Sequence, residues 1–314
     1  MKKKIISVSI MFVASTMMLA SCGNQEFDKN QTITAYTRDT NSGTREGFME
    51  KINYKEAAKD DTKLNKRVKP VASNGDMLNA LEQSEYGIGY FSFDSKEEAE
   101  KNGVKLLNFE NVEPTEDSIL NGTYKLARDF NYCIAEESDE TKKLIVEAFV
   151  AFMSTSEGLT TIKSNGGVCK ITTSTKTWND IKGNFPGIEE DHSSVTINFG
   201  GSTSVEKIAK ALSAQFKALA GNFNANHNHT GSGDAFKKTQ GSEKGTLDIG
   251  FASRGFHTDS DEKFKEGTYG KICVDGIVVG VSDKNPLSNI SASQAKAIYA
   301  VDDSTLNTWA DIIK

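Results

Sequence analysis

The feature that most constrains this chain is a small turn, rich in glycine and hydroxyl residues, that recurs where apolar segments end. It occurs at residues 39–44 (Asp-Thr-Asn-Ser-Gly-Thr), 200–204 (Gly-Gly-Ser-Thr-Ser), 230–233 (Thr-Gly-Ser-Gly) and 252–254 (Ala-Ser-Arg). Three of these turns are expected to open a helix. The first N–H groups of a helix have no intrahelical partner, and the helix dipole makes that end positive. Several such ends directed at one point would form a site for an oxyanion.

The first 22 residues have the pattern of an export signal. Three lysines, at positions 2–4, precede a short apolar run that ends in Leu-Ala-Ser before Cys22. The run is too short for a comfortable membrane span and resembles a bacterial lipoprotein signal peptide. This resemblance implies cleavage before Cys22 and a lipid on its thiol, whereas a plain secretory peptide with an incidental cysteine is the alternative. Residues 23–31 are polar and are predicted to be a tether.

The charge of the chain excludes one class of partner. Removing the three lysines of the leader takes the formal net charge from −6 to −9. This acidity argues against binding to nucleic acid. An anionic ligand must therefore be held by local dipoles and arginines. Cys133, Cys169 and Cys273 have no metal-ligand spacing. They are interpreted as buried thiols, although a Cys133–Cys273 pair remains open.

Alternating segments predict an α/β fold with mostly parallel sheets. Helical apolar spacing is clearest at 141–153 and 204–219, and a buried strand is predicted at 272–281. Residues 169–194 are rich in threonine, serine, glycine and asparagine and are interpreted as a linker. Further strands are predicted at 33–37, 87–93, 105–109, 124–134, 195–199 and 247–251, and further helices at 45–53, 76–83 and 292–299.

Taken together, the turns and their flanking segments resemble the phosphate-binding proteins of bacterial phosphate ABC transporters, the PstS-like family. The resemblance extends over nearly all of the chain after the leader. It is carried by the segments at Arg38 to Thr44, Gly201-Ser202-Thr203-Ser204, Gly231-Ser232-Gly233, Asp248 to Arg254 and Val274 to Val279. It implies an α/β, two-lobe periplasmic-binding-protein-like (type II) fold with hinge strands and a ligand in the cleft. It implies no cofactor, no metal and no enzymatic activity.

The segments stand in a different order from the one usual in that family, which begins with the Gly-Ser-Thr segment. Here the Arg…Ser-Gly-Thr segment comes first, which predicts a circular permutation; a misassembled reading frame would give the same order. Permutation is tolerated where the chain ends lie close together, so Lys314 is predicted to lie near Thr32. The predicted lobes are 127–281 (lobe I) and 32–126 with 282–314 (lobe II).

The resemblance also implies a set of ligand residues, carried over motif by motif. Lobe I would contribute Thr203, Ser204, Ser232 and Ser253, with Arg254 close by, and lobe II would contribute Arg38, Ser42, Gly43 and Thr44. A forked guanidinium suits a tetrahedral oxyanion, and a glycine leaves its N–H unshielded. Each position has a structural alternative. Ser42 and Thr203 could be helix caps only, and Arg254 could pair with a carboxylate such as Asp248.

Other charged residues are given structural interpretations. Arg45 is predicted to be a charge on the helix surface. His227 and His229 are predicted to be solvated rather than metal ligands. A carboxylate acceptor in the site would select protonated phosphate over sulfate, and Asp39, Asp234 and Asp248 are the candidates.

The predicted function is capture of inorganic phosphate outside the cell and its delivery to a membrane ABC permease. The protein would be a monomer, held by its lipid on the outer face of the bacterial cytoplasmic membrane, or on its periplasmic side if the envelope has two membranes. The alternatives are a receptor for sulfate, molybdate or a small phosphorylated solute, and a surface sensor or adhesin lipoprotein. A hydrolase is disfavoured because the chain has no recognisable nucleophile motif.

Overall fold

The structure is a computed structural model that describes residues 26–301 and 305–313. The predicted signal peptide, Cys22 and Lys314 lie outside the described residues. Phe27 is already buried, with its ring centroid 5.1 Å from that of Tyr86 and 5.8 Å from that of Trp309. The folded part of the chain therefore begins inside the segment predicted to be a tether. No helix among the described residues has the length and apolar character needed to cross a bilayer.

One mixed sheet joins the strands of the described residues. Its order is β2-β1-β3-β9-β5-β8-β6-β7, with β4 paired to β9 and β10. β1 runs parallel to β2 and β3, β6 runs parallel to β7 and β8, and β9 runs antiparallel to β3, β4 and β5. The strands are β1 (Thr34–Arg38), β2 (Lys69–Val71), β3 (Gly87–Ser92), β4 (Val104–Phe109), β5 (Ala127–Ile134), β6 (Thr196–Gly201), β7 (Asn224–His229), β8 (Ile249–Ala252), β9 (Tyr269–Ser282) and β10 (Asn289–Ile290).

Helices follow most strands, so the predicted α/β alternation is confirmed. The sequence did not predict α3, α4, α6 or α7; in α3 only Ala99 is buried, so no apolar stripe marks that helix. The helices are α1 (Gly43–Lys51), α2 (Asn74–Glu82), α3 (Lys96–Lys101), α4 (Glu116–Leu120), α5 (Glu140–Met153), α6 (Ser156–Ser164), α7 (Trp178–Ile181), α8 (Glu206–Lys217), α9 (Gly233–Thr239) and α10 (Ala292–Tyr299).

The long strand β9 joins two halves of the molecule. Its first half pairs with β5, from Cys133 opposite Tyr269 to Ala127 opposite Gly276. Its second half pairs with β3, where Ser92 lies opposite Ile277. From Gly276 to Ser282 every residue of β9 is buried. A strand with both faces covered and partners in both halves can act as a hinge between them.

Two large hydrophobic clusters lie on either side of this change of partner. The first takes residues mainly from 27–126 and 277–312, and Phe48 stacks on Tyr90 in it with ring centroids 3.9 Å apart. The second takes residues from 130–273, and Phe149 packs there against Phe199 and Phe216. We call the part built on the first cluster lobe II and the part built on the second lobe I.

The two ends of the described chain meet in lobe II. Thr32 and Thr308 form an antiparallel bridge, and the N–H of Ile33 donates to the carbonyl of Asn307 at 3.0 Å. The N–H of Trp309 donates to the carbonyl of Gln31 at 3.2 Å. Thr32 therefore lies beside the C-terminal segment, although the predicted contact with Lys314 falls outside the described residues.

The segment predicted as a linker is ordered where it contacts lobe I. Trp178 is buried against Phe152 and Phe216, with ring centroids 6.0 Å and 5.4 Å away. Its helix α7 begins with a capping box, in which Thr177 and Asp180 satisfy each other's backbone N–H groups. Capping residues are small and polar, which is why their composition resembled that of a linker.

The cysteines of the described residues are all free. Cys133 and Cys273 are buried, as the thiol interpretation predicted, and they do not form the disulfide that the sequence left open. Burial raises the pKa of the Cys133 thiol to about 12, so this group is a neutral core residue.

Candidate functional site

The glycine- and hydroxyl-rich turns converge at the carboxyl ends of β1, β6, β7 and β8. In lobe I, β7 and β8 lie on either side of β6 and run parallel to it, so the turns that follow these three strands share one edge of the sheet. The turn after β1 faces them from lobe II. Ser42 caps α1, and its hydroxyl accepts from the N–H of Arg45 at 3.3 Å. The predicted alternative of a helix cap is therefore realised at Ser42, with the same donor-rich helix start beside it.

Hydrogen bonds cross from one lobe to the other at this point. The Thr44 hydroxyl lies 2.8 Å from the hydroxyl of Ser204, and Arg38 Nη2 donates to Thr203 Oγ1 at 2.9 Å. A third contact joins the N–H of Gly233 to the carbonyl of Asn41 at 3.2 Å. The cleft is closed in this structure, with the two motifs at its centre in direct contact.

Serines from three turns form a buried hydroxyl cluster in lobe I. Ser202 Oγ donates to Ser253 Oγ at 2.9 Å, and Ser232 Oγ lies 3.1 Å from the same atom. The N–H of Ser253 also donates to Ser232 Oγ at 2.9 Å. All three serines are at most 2 % exposed. Hydroxyls can rotate to donate or accept, so such a cluster can reorient its protons toward an anion.

Gly43 lies against this cluster from the opposite lobe. A Cβ at this position would overlap the Ser232 side chain and lie 3.0 Å from Ser253 Oγ. The first residue of α1 must therefore lack a side chain for the lobes to come this close. Its N–H is one of the unpaired donors of the helix start.

Arg38 supplies a buried positive charge at the end of β1. Its side chain is 1 % exposed; Nη2 donates to the carbonyl of Ala72 and to Thr203, whereas Nε and Nη1 have no partner among the described residues. Burial lowers the pKa of Arg38 from its ordinary value, although the group remains charged at neutral pH. A buried cation with unused donors is costly unless an anion completes it.

Arg128 is a second arginine of the site, and the sequence analysis did not assign it. Its Nη1 donates to Thr44 Oγ1 at 2.9 Å and to the carbonyl of Ser253 at 3.1 Å. Its Nε donates to Asp275 at 2.8 Å, and the side chain is 6 % exposed. Arg128 lies at the start of β5, opposite Asp275 of β9; an arginine at this point of a strand was the signal that could have identified it.

Arg254 lies beside the site with its donors already engaged. Nη1 and Nη2 bind both oxygens of Glu262, at 3.0 Å and 2.7 Å, and Nε lies 3.4 Å from Glu46. The structural alternative for this arginine is therefore realised, with Glu262 rather than Asp248 as the partner. Asp248 instead pairs with Lys142 at 3.0 Å.

The prediction for Arg45 was wrong. Its side chain is fully buried, and it donates to the carbonyls of Arg38 and Ala57, at 3.0 Å and 2.7 Å, and to Asp61 at 2.5 Å. Arg45 therefore fixes the backbone of Arg38 from behind. A single arginine in a helix carries no sequence signal for this role, because its partners Arg38, Ala57 and Asp61 belong to other elements of the fold.

The prediction that His227 and His229 are solvated was also wrong. The two rings stack between Phe199 and Phe251, and His229 Nδ1 lies 3.0 Å from the carbonyl oxygen of Ser202. Burial lowers the pKa of His227 to about 4, so the ring is neutral at pH 7. Across the described ranges no cluster of histidine, cysteine and carboxylate side chains could hold a metal ion.

The predicted carboxylate acceptors differ in their surroundings. Asp234 pairs with Lys238 at 2.8 Å and also accepts from Thr230. Asp248 accepts from Lys142 and from the N–H of Asn198 at 2.7 Å. Asp39 accepts from the N–H of Asn41 at 2.9 Å. The Asp234 and Asp248 carboxylates are thus committed to lysines of lobe I, and the donors that line the cleft come from hydroxyls, amides and arginines.

Comparison with known proteins gives matches of three kinds. A family model described as a PBP superfamily domain matches residues 186–313. The chain is 28% identical to phosphate-binding protein PstS 2 of Streptococcus pneumoniae, over 94% of each chain, and 25% identical to the PstS 2 of Streptococcus agalactiae, over 99% of this chain and 100% of the relative. A crystal structure of a phosphate ABC transporter phosphate-binding protein from S. pneumoniae superposes with a TM-score of 0.64 and 25% identity, over 90% of this chain and 100% of that one.

These matches confirm the periplasmic-binding-protein-like α/β fold and the resemblance to phosphate-binding proteins. The sequence matches to the S. pneumoniae and S. agalactiae relatives extend over 94% and 99% of this chain. The type II class and the circular permutation stay predictions, and a misassembled reading frame stays the alternative explanation of the segment order.

Proposed function

We propose that this protein captures inorganic phosphate in the cleft between its lobes and delivers it to a membrane ABC permease, without catalysing a reaction. The observation that carries the proposal is Arg38, a buried guanidinium with two unused donors at the meeting point of four donor-rich turns. The relatives, which are named phosphate-binding proteins and are matched over 94% or more of their length, support the same ligand.

The proposed phosphate ligands come from both lobes. Desolvating a multiply charged anion is costly, so its oxygens must receive several donors at once. The two lobes supply these donors together only when the cleft is closed, and this difference lets the ligand shift the hinge equilibrium toward closure. The proposed ligand residues are Arg38, Ser42, Gly43, Thr44, Thr203, Ser204, Ser232 and Ser253, to which we add Arg128; Arg254 is assigned a different role below.

The remaining steps of the proposal concern location and delivery. A lipid on Cys22 would hold the protein, as a monomer, on the outer face of the bacterial cytoplasmic membrane. Closure around phosphate would present a distinct surface to the permease, which could then release the ligand by favouring the open state.

Isothermal titration of the protein after removal of its leader tests the ligand. Phosphate is expected to bind tightly, and it should raise the unfolding temperature because a ligand that binds only the folded state stabilises it. Sulfate, molybdate and glycerol phosphate are the comparison ligands. A preference for sulfate over phosphate would reject phosphate as the cargo. Absence of any response to all four anions would favour a sensor or adhesin.

A further inference from the structure

We propose that Glu46 of lobe II, held by Arg254 and His257 of lobe I, is a positioning residue that latches the cleft shut and raises the affinity for the anion. This inference rests on the proposed function, since it concerns closure around the same ligand. We call the three side chains, with Glu262, the cross-lobe latch.

The latch is defined by two contacts on one carboxylate. Glu46 Oε1 lies 2.7 Å from His257 Nε2, and Glu46 Oε2 lies 3.4 Å from Arg254 Nε; both are ion-pair distances, and neither pair has the alignment of a hydrogen bond. The Glu46 side chain is 16 % exposed and that of Arg254 is 7 % exposed, so water screens their interaction only partly. Lys59 also approaches Glu46, at 3.9 Å, but it is largely exposed and comes from the same lobe.

Glu262 holds the lobe I side of the latch in place. Its two oxygens bind both terminal nitrogens of Arg254, and its Oε2 also accepts from the N–H of His257 at 2.6 Å. A bidentate pair of this kind fixes the plane of the guanidinium. Arg254 and His257 are thus oriented toward lobe II before Glu46 arrives.

The negative charge of Glu46 cannot by itself favour binding of the anion. It lies in the first turn of α1, two residues after Thr44, so its negative charge is close to the site of the proposed anion. Like charges repel, so the carboxylate by itself weakens anion binding. A carboxylate at this position can favour binding only through closure, because its two close partners, Arg254 and His257, belong to the other lobe.

The contact between Glu46 and lobe I raises the affinity for the anion because it forms only when the cleft closes. The observed affinity equals the affinity of the closed form multiplied by the fraction of molecules that are closed. A contact made only in the closed form raises that fraction. The same contact must break before the ligand leaves, so it also slows release.

The decisive variant is Glu46→Gln, which keeps the shape of the side chain and removes its charge. The latch predicts that phosphate binds roughly five- to tenfold more weakly, with the loss in a faster release rate. Simple repulsion predicts tighter binding instead. Isothermal titration and stopped-flow release measurements distinguish these two signs.

A matched control lies at the other helix of the site. Glu206 occupies the first turn of α8, which follows Thr203 and Ser204, but its carboxylate pairs with Lys210 of the same helix at 2.6 Å. Glu206→Gln therefore removes the same charge near the anion without breaking a contact between lobes. It is expected to leave phosphate affinity unchanged or slightly higher.

A double-mutant cycle completes the test. In an Arg254→Gln background, Glu46→Gln should weaken binding by a smaller factor than it does in the wild type, because only the contact with His257 remains to be lost. Equal or tighter binding by the single Glu46→Gln variant, or an undiminished effect in the Arg254→Gln background, would overturn the latch.

Failure of the proposed function gives a different result. If the wild-type protein binds no phosphate, the ligand assignment falls, and the latch is then judged from the ligand-free protein by small-angle X-ray scattering. The latch predicts a larger radius of gyration for Glu46→Gln than for both wild type and Glu206→Gln; equal radii would overturn it.

Discussion

Thr44 of lobe II and Ser204 of lobe I share a hydrogen bond of 2.8 Å across the closed cleft. Each lies at a helix start, in α1 or just before α8, so the two positive helix ends face each other through their hydroxyls. Because Thr44 Oγ1 accepts a hydrogen bond from Arg128, the proton of the Thr44 hydroxyl points away from the arginine. The centre of the cleft is therefore an array of donors, a geometry suited to an anion.

Gly43→Ala should abolish closure without harming the fold. The new methyl group would lie 2.8 Å from Ser232 Cβ when the lobes meet, and Gly43 does not have a positive φ, so alanine is compatible with its backbone. Phosphate binding is expected to weaken about 100-fold or more, whereas the ligand-free protein should gain up to about 1 kcal/mol of stability.

Titration and thermal unfolding check this expectation, with Gly75→Ala as the control. Gly75 lies in the first turn of α2, where an added Cβ would meet only Ser73 Oγ at 3.8 Å. Wild-type affinity in Gly43→Ala would show that the lobes close with more space than this structure has.

Arg38→Ala should remove most of the binding energy. The guanidinium is buried and two of its nitrogens lack partners, so a bound anion would be its main counter-charge. Loss of one partner of a buried charge pair weakens binding by about 2–5 kcal/mol. The control Arg67→Ala removes an arginine whose donors go to Asn65 and to the carbonyls of Leu306 and Asn307. Isothermal titration that finds similar affinities in both variants would exclude Arg38 from the site.

The sequence predicted the turns that form the site better than it predicted which side chains contact each other there. The turn at Ser42, Gly43 and Thr44 could be identified because helix capping and anion binding both require small donor residues at a strand-to-helix turn. The surroundings of Arg45 and Arg254 could not, since the carboxylates of Asp61 and Glu262 that pair with them lie 16 and 8 residues further along the chain, with no periodic spacing. Local spacing fixes which face of a helix is apolar, but it does not determine which buried charges meet.

The sequence also could not explain the carboxylate in the hinge strand β9. The apolar pattern of 272–281 predicted a buried strand correctly, yet it gave no reason for Asp275 to stand in the middle of it. The structure supplies one, because Asp275 accepts from Ser92 at 2.9 Å and from Arg128 at 2.8 Å. A buried carboxylate in an apolar run is explained only when the residues that neutralise it are known.

The stability of the protein should depend on pH through Asp94. Burial, followed by repulsion from Asp275, raises the pKa of Asp94 to about 7. The folded state therefore keeps a proton that the unfolded state releases near its ordinary pKa of about 4. Since the folded state binds more protons in this window, stability falls as the pH rises from about 4 to about 7.

Asp94→Asn should flatten this dependence. The amide keeps an oxygen that can accept from Ser95, as Asp94 Oδ1 does at 2.9 Å, and it has no proton to release. Urea unfolding at pH 5, 6, 7 and 8 measures the slope, which for one group is at most about 1.4 kcal/mol per pH unit. An unchanged slope in the variant would assign the dependence to other groups.

Arg128 and Asp275 should be strongly coupled in stability as well as in binding. Arg128→Met leaves the fully buried Asp275 without its cation, which is expected to destabilise the fold by about 3–5 kcal/mol. In the double variant with Asp275→Asn the buried charge is gone, so much of that loss should be recovered, because an amide can still accept from Ser92. Phosphate affinity should not recover, since the donors of Arg128 to Thr44 and Ser253 are missing in both variants. Denaturant unfolding and titration of the three proteins measure the two effects separately. If the destabilisations simply add, the pair is not a coupled unit; if phosphate affinity returns with stability, Arg128 acts only on the fold.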